Sequence, residues 1–249
     1  MSELIFLGTG AGDKGMLLQK IKTSALYFDF DGIKFILDPG PGAIVNANLS
    51  GLDLTGINGL IVTHPHPDHT ADANCLIDAL RKPGTFLIAA KKCLIETKMY
   101  YPSINKFQQH IPEKIYAVEH GDALRIGDVA FEAVRNSHLD CGLGIKILGK
   151  KKIGYVGDGT LDDNQEFYHG MDLIIFNVLI PHGKPSVKGI HTSVDDIIKF
   201  LKLTKPKKAI IQHFSIEMID AGIDKQARII EKETKVATIA AKDGMKIRL

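Results

Sequence analysis

The chain has 249 residues, 45% of them hydrophobic, so it can bury a sizeable core as one large domain or two small ones. Its 31 basic residues nearly balance its 29 acidic residues, which gives no reason to expect a nucleic-acid-binding face or a polybasic membrane surface. Three scattered cysteines fit a reducing compartment, and the start lacks the basic region of a signal peptide. We therefore expect a cytoplasmic protein without a membrane segment, folded as a single domain over residues 1–249.

The first predicted strands are E-L-I-F-L-G, S-A-L-Y-F-D-F and K-F-I-L-D. Asp31-Gly32, between the last two, is a typical hairpin turn pair. A further strand, G-L-I-V-T, covers residues 59–63. Thr70 is then predicted to be the N-cap of a helix through A-D-A-N-C-L-I-D-A-L.

The middle of the chain predicts four more strands with hairpin-like spacing, namely A-L-R-I, V-A-F-E-A-V, L-G-I-K-I-L and K-I-G-Y-V. Near the end, Thr192 or Ser193 is expected to cap the helix V-D-D-I-I-K-F-L-K-L, which leads into the strand K-A-I-I-Q-H. Strand groups at both ends of the chain, each with its own helices, predict sheets packed together with helices outside, a layered α/β architecture.

The stretch T-H-P-H-P-D-H-T places three histidines and one aspartate within six positions. Neutral imidazole and carboxylate groups suit Zn²⁺ and its first-row neighbours. His64 and His66 project the same way if the segment is extended, and the proline after each of them favours that conformation. Asp68 and His69 follow once the chain has turned, so they can face a second point. The pattern predicts a metal site rather than a chance cluster in a polar loop.

The motif H-x-H-x-D-H resembles the signature of the metallo-β-lactamase superfamily. The resemblance implies three later ligands at strand ends, and the matching positions are His138, Asp158 and His213. It assigns the ligands to two ions bridged by Asp158, with His64, His66 and His138 on one and Asp68, His69 and His213 on the other. It also implies the fold, a four-layered αββα sandwich in which two mixed sheets pack face to face with helices outside.

The resemblance further implies two divalent metal ions that share a hydroxide, lower its pKa and clamp the attacked group. Zn²⁺ is the expected ion and Mn²⁺ the alternative, because both accept these ligands. The flavodiiron branch of the superfamily has a glutamate at the second motif position. His66 stands there in this chain, which favours hydrolysis over redox chemistry. Asp68 is a candidate catalytic base as well as a ligand.

His191, in K-G-I-H-T-S, resembles a motif of the ribonuclease Z-type phosphodiesterases, as does the H-F-S that begins at His213. In that branch the extra histidine stabilises the phosphoryl oxyanion or protonates the leaving oxygen, which makes His191 a candidate catalytic residue. The alternative is a histidine that only caps or packs against the following helix. Asp38, in L-D-P-G, is either a plain turn residue or a partner that orients a ligand histidine.

The expected substrate is a small phosphodiester or cyclic phosphate. Short ribonuclease Z enzymes carry a long tRNA-gripping arm between the third histidine and the bridging aspartate, but here only 19 residues, 139–157, lie between these positions. This argues against tRNA as a partner and favours the compact cyclic-phosphate phosphodiesterases. A lactone or thioester hydrolase on the same dinuclear site is the alternative. The resemblance is also compatible with a homodimer.

A second motif, Gly10-Ala-Gly12-Asp-Lys-Gly15, matches the G-x-G-x-x-G of dinucleotide-binding proteins and would indicate an oxidoreductase. Too few residues follow it for a full crossover helix, so a flexible glycine loop near the metal site is the preferred interpretation. His182 and Lys184 precede His191 on a loop that either lines the substrate mouth or is simply exposed. Cys141 matches no ligand position and is expected to be a buried thiol.

Overall fold

The computed structural model describes residues 2–139, 141–161, 164–186 and 190–249, apart from the side chain of Asp13. Within these ranges the chain forms fourteen strands. In chain order they are Glu3–Gly8 (β1), Ala25–Phe30 (β2), Ile33–Leu37 (β3), Gly59–Val62 (β4), Phe86–Ala90 (β5), Lys114–Val118 (β6), Ala123–Ile126 (β7), Val129–Arg135 (β8), Leu143–Leu148 (β9), Lys152–Val156 (β10), Leu173–Asn177 (β11), Lys208–Gln212 (β12), Ala237–Ala240 (β13) and Lys246–Arg248 (β14).

The same ranges contain eight α-helices, most of them short, and four 3-10 turns. The helices are Gly12–Leu18 (α1), Ala43–Leu49 (α2), Pro67–Thr70 (α3), Ala73–Ile77 (α4), Lys91–Leu94 (α5), Val194–Thr204 (α6), Ile216–Asp220 (α7) and Ile223–Thr234 (α8). The 3-10 turns are Leu54–Gly56, Asp78–Leu80, Gln108–His110 and Gln165–Tyr168.

The chain divides into two compact units, and the first comprises Met1–Thr9, Gln19–Glu119 and Lys242–Leu249. It contains one seven-stranded sheet in the order β14-β1-β2-β3-β4-β5-β6. The pairs from β14 to β3 are antiparallel, whereas β3, β4, β5 and β6 run parallel. β4 and β5 are buried at every position, as expected for strands inside a parallel sheet.

The second unit comprises Gly10–Leu18 and His120–Ala241. Its seven-stranded sheet has the order β13-β12-β11-β10-β9-β8-β7. Strands β10 to β13 are parallel, and the remaining pairs are antiparallel hairpin partners. The β9–β10 hairpin occupies most of the segment between His138 and Asp158.

Turn and cap residues explain several element boundaries. Asp31 and Gly32 both have positive φ, 46° and 89°, which is the geometry of the primed hairpin turn that such a pair predicts. Ser193 accepts a hydrogen bond from the backbone N–H of Asp196, whose carboxylate accepts one in return from the backbone N–H of Ser193, so α6 begins with a capping box. Of the two predicted caps, Thr192 and Ser193, Ser193 is therefore the N-cap of α6.

The prediction for Thr70 is wrong. Thr70 lies inside α3, and its hydroxyl donates to the carbonyl of His66, which is the actual N-cap. The physical reason is Pro67: its fixed φ suits the first helical position, so α3 begins there, four residues before the predicted start at Ala71, and a separate helix, α4, begins at Ala73.

Two mixed seven-stranded sheets with their helices confirm the predicted α/β fold class. None of the described helices is long and apolar enough to cross a bilayer. The single domain over residues 1–249 stays a prediction.

Candidate metal centre

The first set of predicted ligands follows β4 in the first unit. His64 follows two residues after the end of β4, His66 lies on extended backbone, and Pro67 then opens α3, which carries Asp68 and His69. The ring centroid of His64 is 4.7 Å from that of His66 and 4.1 Å from that of His69. His64 and His69 are completely buried. The turn predicted between the two pairs of ligands is therefore present, and it gathers imidazole and carboxylate groups in one place.

Asp38 supports this set from the end of the neighbouring strand β3. Because β3 and β4 are parallel, Asp38 and Thr63 emerge at the same edge of the sheet. The carboxylate of Asp38 accepts hydrogen bonds from the backbone N–H and the hydroxyl of Thr63 at 2.8 and 2.7 Å. Its Oδ2 lies 3.1 Å from Nδ1 of His69. Of the two interpretations of Asp38, this contact favours a partner that orients the predicted ligand His69 through Nδ1, on the opposite side of the ring from Nε2.

Tyr100 is a contact of this set that the sequence did not indicate. Its hydroxyl lies 2.9 Å from Nε2 of His66. The Thr97 hydroxyl accepts from the backbone N–H of Tyr100 at 2.9 Å, and the backbone N–H of Thr97 donates to the Tyr100 carbonyl at 2.8 Å. This small turn presents the phenol to the histidine. Since Nε2 is engaged, Nδ1 of His66 is the nitrogen that this arrangement leaves for a metal.

The second set of predicted ligands lies at strand ends in the second unit. Asp158 follows β10 and His213 follows β12, and these strands belong to one parallel array, so their carboxyl ends share an edge of the sheet. His138 follows β8. Oδ2 of Asp158 is 4.0 Å from Nε2 of His138, and Oδ1 is 3.4 Å from Nδ1 of His213. All three residues are buried.

A backbone carbonyl holds His138, and His213 has an unusual backbone conformation. Nδ1 of His138 lies 2.7 Å from the carbonyl of Ile190, an acceptor that requires the proton on Nδ1 and leaves the lone pair on Nε2, towards Asp158. His213 has φ of 60°, a left-handed conformation that is uncommon for a residue with a side chain. Such strain is found at functional sites, where the surrounding structure holds it.

A buried amide network positions Asp158. Nδ2 of Asn177, at the end of β11, donates to Oδ1 of Asp158 at 2.7 Å. The side-chain oxygen of Asn177 accepts in turn from Nε2 of Gln212 at 2.6 Å. Asn177 and Gln212 are register partners on adjacent strands, which explains why they meet. Neither residue was predicted as part of the site. The sequence signal that could have indicated them is a polar residue at the end of each buried strand.

His191 lies beside this second set. Ligand atoms of His138, Asp158 and His191 all fall within 4.8 Å of one another, and the rings of the two histidines are 5.4 Å apart. The cap of α6 is Ser193, so His191 does not serve as that cap. Residues 187–189, which include the start of the predicted motif, lie outside the described residues.

The donor set of the second unit fits a divalent metal ion. Two ligands bound tetrahedrally to one ion at about 2.1 Å would have donor atoms roughly 3.4 Å apart, and the His213–Asp158 separation is 3.4 Å. The donors are buried nitrogens and carboxylate oxygens, which suit Zn²⁺ and related ions. The first unit offers the same chemistry from His64, His66, Asp68 and His69.

The remaining candidates have other contacts. His182 hydrogen-bonds Asp195 through Nδ1 at 2.7 Å, whereas Lys184 pairs with Glu217 at 2.9 Å and lines a cleft of the second unit together with His191. Cys141 is a buried thiol that donates to a backbone carbonyl, as predicted.

The glycine motif belongs to the same unit. Gly10 forms a bridge with Phe214, the residue after His213, so this loop lies near the second ligand set. β1 and β2, on either side of the motif, are antiparallel, and α1 between them has seven residues. A dinucleotide-binding motif requires parallel strands and a longer helix, so the geometry contradicts that interpretation.

Comparisons with known proteins identify the family. Residues 34–214 match the model of a beta-lactamase superfamily domain. The uncharacterised protein MJ1374 of Methanocaldococcus jannaschii is 28% identical over 259 residues, which cover 99% of this chain and 95% of that protein. The metallo-β-lactamase fold protein YhfI of Bacillus subtilis superposes with a TM-score of 0.79 at 16% identity over the whole of both chains. A diphosphatase of the PhnP family gives 0.72 at 19% identity, over 100% of this chain and 98% of its own.

Proposed function

This chain belongs to the β-lactamase superfamily, and on that basis we propose that it is a metal-dependent phosphodiesterase that acts on a small phosphodiester or cyclic phosphate. The family implies a hydrolase with divalent metal ions. The substrate class is our inference. The observation that carries it is the position of His191, a histidine outside the set of seven ligands, beside His138 and Asp158.

We assign the seven ligands as the family pattern implies. One ion would be held by His64, His66 and His138, the other by Asp68, His69 and His213, and Asp158 would bind both. Zn²⁺ is the ion we expect, and Mn²⁺ is the alternative. When bound, such ions lower the pKa of a water and neutralise charge on phosphoryl oxygens.

The protein's own groups prepare this chemistry. Asp38 and the carbonyl of Ile190 hold His69 and His138 by Nδ1, so each ring keeps Nε2 for a metal. Asp68 lies at the first helical turn of α3, where its carboxylate can also accept a proton from the attacking water. His191 would donate a hydrogen bond to a non-bridging oxygen or a proton to the leaving oxygen, in either case at a group that gains negative charge in the transition state.

Two features support a small phosphate ester. The segment between His138 and Asp158 is occupied by the β9–β10 hairpin, so it offers no long arm to hold a tRNA. One structural neighbour is named a diphosphatase, which favours phosphorus over carbon as the attacked atom. We therefore propose a small-molecule substrate.

A substrate panel tests the reaction class. The protein, stripped with a chelator and reloaded with Zn²⁺ or Mn²⁺, would be assayed on bis(p-nitrophenyl) phosphate, 2′,3′-cyclic nucleotides, lactones and thioesters. We expect turnover of the phosphodiesters. Activity restricted to the lactones or thioesters would show that the enzyme hydrolyses carbon esters instead.

Three variants separate the roles of the residues. Asp158→Ala should lose both metal and turnover, because one carboxylate serves both ions. His191→Ala should keep the metal content and lose about 10²- to 10⁴-fold in rate, the usual contribution of an acid–base group. His182→Ala is the control, since this exposed histidine contacts Asp195 instead of the ligands. Full activity of His191→Ala on every substrate would remove the main support for a phosphodiesterase.

A further inference from the structure

A cleft of about 590 Å³ opens beside His191 in the second unit. Its volume lies within the range of pockets that hold small molecules. Its walls come from the glycine loop at the start of α1, from residues 179–185 after β11, and from α7. Because His191 belongs to both the cleft and the proposed site, the cleft is where a part of the substrate beyond the reacting phosphate can lie.

The cleft is walled by aliphatic side chains. Leu179, Ile180, Pro185 and Ile216 line it, and the described lining residues include no Phe, Tyr or Trp. Leu179 is nearly buried, and Ile216 is half-buried. An aliphatic wall of this kind recognises shape and apolar area rather than hydrogen-bonding groups.

Five of the twelve described lining residues are polar or charged, and three of them, Lys14, Lys184 and Glu217, are exposed at the cleft. The Ser215 hydroxyl donates to the Leu179 carbonyl and accepts from the backbone N–H of Met218. Lys184 and Glu217 pair with each other, and both side chains are more than half exposed. A sugar-like group packed against the aliphatic wall would leave hydroxyls without partners, at a cost in binding. Among the described lining residues, a nucleobase would find only the imidazole of His191 as an aromatic ring, and the proposed site uses that ring at the phosphate.

We propose that this cleft binds an aliphatic group of the substrate, so that the enzyme prefers phosphodiesters that carry an alkyl chain of several carbons over nucleoside esters. This inference rests on the proposed phosphodiesterase function, because it places the phosphate beside His191. It adds a recognition element for the part of the substrate that does not react.

A chain-length series tests the proposal. The methyl, butyl and hexyl esters of p-nitrophenyl phosphate would be compared with thymidine 5′-(p-nitrophenyl phosphate) by kcat/KM. Each methylene that enters the cleft should raise kcat/KM by about two- to fourfold, so the hexyl ester should exceed the methyl ester by roughly tenfold or more. Equal values along the series, or a preference for the thymidine ester over the hexyl ester, would overturn the proposal.

Two matched variants place the effect in the cleft. Ile216→Ser removes an aliphatic side chain from the wall, whereas Ile219→Ser makes the same change on α7 at a half-buried position outside the cleft. We expect the chain-length gain to fall at least threefold in Ile216→Ser and to persist in Ile219→Ser. An equal loss in both variants would show that the gain arises elsewhere.

A binding measurement distinguishes failure of this inference from failure of the proposed function. The dissociation constants of methyl and hexyl phosphate would be measured by calorimetry, which needs no turnover. If no phosphodiester is hydrolysed but hexyl phosphate binds more tightly through Ile216, the cleft assignment stands and the reaction class is wrong. If phosphodiesters are hydrolysed but the two phosphates bind equally, the cleft assignment is wrong and the reaction class stands.

Discussion

Asn177→Leu tests how the fold positions Asp158. The change keeps the approximate size of a side chain that is only 2% exposed, but it removes an amide that joins three buried groups. The lost bonds are the 2.7 Å donation to the Asp158 carboxylate, the 3.1 Å donation to the Tyr155 hydroxyl and the 2.6 Å acceptance from Gln212. Hydrogen bonds to a charged group contribute about 1.5–3 kcal/mol and neutral ones about 0.5–1.5 kcal/mol. We therefore expect Asn177→Leu to lower the free energy of unfolding by about 2.5–6 kcal/mol.

The functional effect should exceed this general destabilisation. Partners that orient a metal ligand typically contribute 10- to 100-fold in metal affinity. The variant should therefore bind Zn²⁺ about 10- to 100-fold more weakly under conditions where it is fully folded. Stability would be measured by urea unfolding of the metal-free protein, and affinity by competition with a chromogenic chelator.

Asn164→Leu is the matched control. Asn164 is buried at 5% exposure and donates to Asn136 and to the carbonyl of Arg135, at 3.0 and 3.1 Å, but it contacts none of the proposed ligands. It should also lose stability, by about 1–3 kcal/mol for two neutral hydrogen bonds, and keep its metal affinity. Two outcomes would refute the idea that this amide orients Asp158. One is that Asn177→Leu has the free energy of unfolding and the Zn²⁺ affinity of the wild type, and the other is that both variants lose affinity equally.

Three further changes probe other contacts. Tyr100→Phe removes the hydroxyl that lies 2.9 Å from Nε2 of His66, and it should weaken metal binding about tenfold with little change in stability. Unchanged metal affinity in a chelator competition would exclude an orienting role for this hydroxyl. Gly144→Ala would bring a methyl group to 2.1 Å from the buried tyrosine hydroxyl of the last 3-10 turn, so it should destabilise the protein by about 3 kcal/mol or more in urea unfolding. Asp172 has a lowered pKa, chiefly because its carboxylate is hydrogen-bonded by Lys207 and also by a backbone N–H. Stability from such a group is present above the ordinary aspartate pKa of about 3.9 and is lost as the pH falls through the lowered value. Asp172→Asn should therefore be about 1 kcal/mol less stable than the wild type at pH 7, and the difference should shrink in acid; a difference that grows below pH 4 would contradict this linkage.

Local signals in the sequence predicted much of the fold. The Asp31-Gly32 turn and the Ser193 cap depend on residues close in the chain, and both are found where such signals place them. The N-cap prediction for Thr70 was wrong because two local signals competed. The helix begins at Pro67, which suits the first helical position, and not after the hydroxyl residue further on.

Residue type and order determined the candidate ligands. The seven predicted ligands follow strands or open a turn, and their chemistry can be recognised from the sequence because imidazole and carboxylate groups in this order have few other uses. The sequence likewise indicated that the glycine motif lacks the helix a dinucleotide site needs.

Only the tertiary structure decided how those ligands are held. Tyr100 reaches His66 from 34 residues away, and Asn177 reaches Asp158 from 19. Such partners are set by strand register and loop conformation, which depend on the packing of distant segments instead of on neighbours in the chain. The same packing leaves an aliphatic cleft beside His191, a feature that no local pattern of residues encodes.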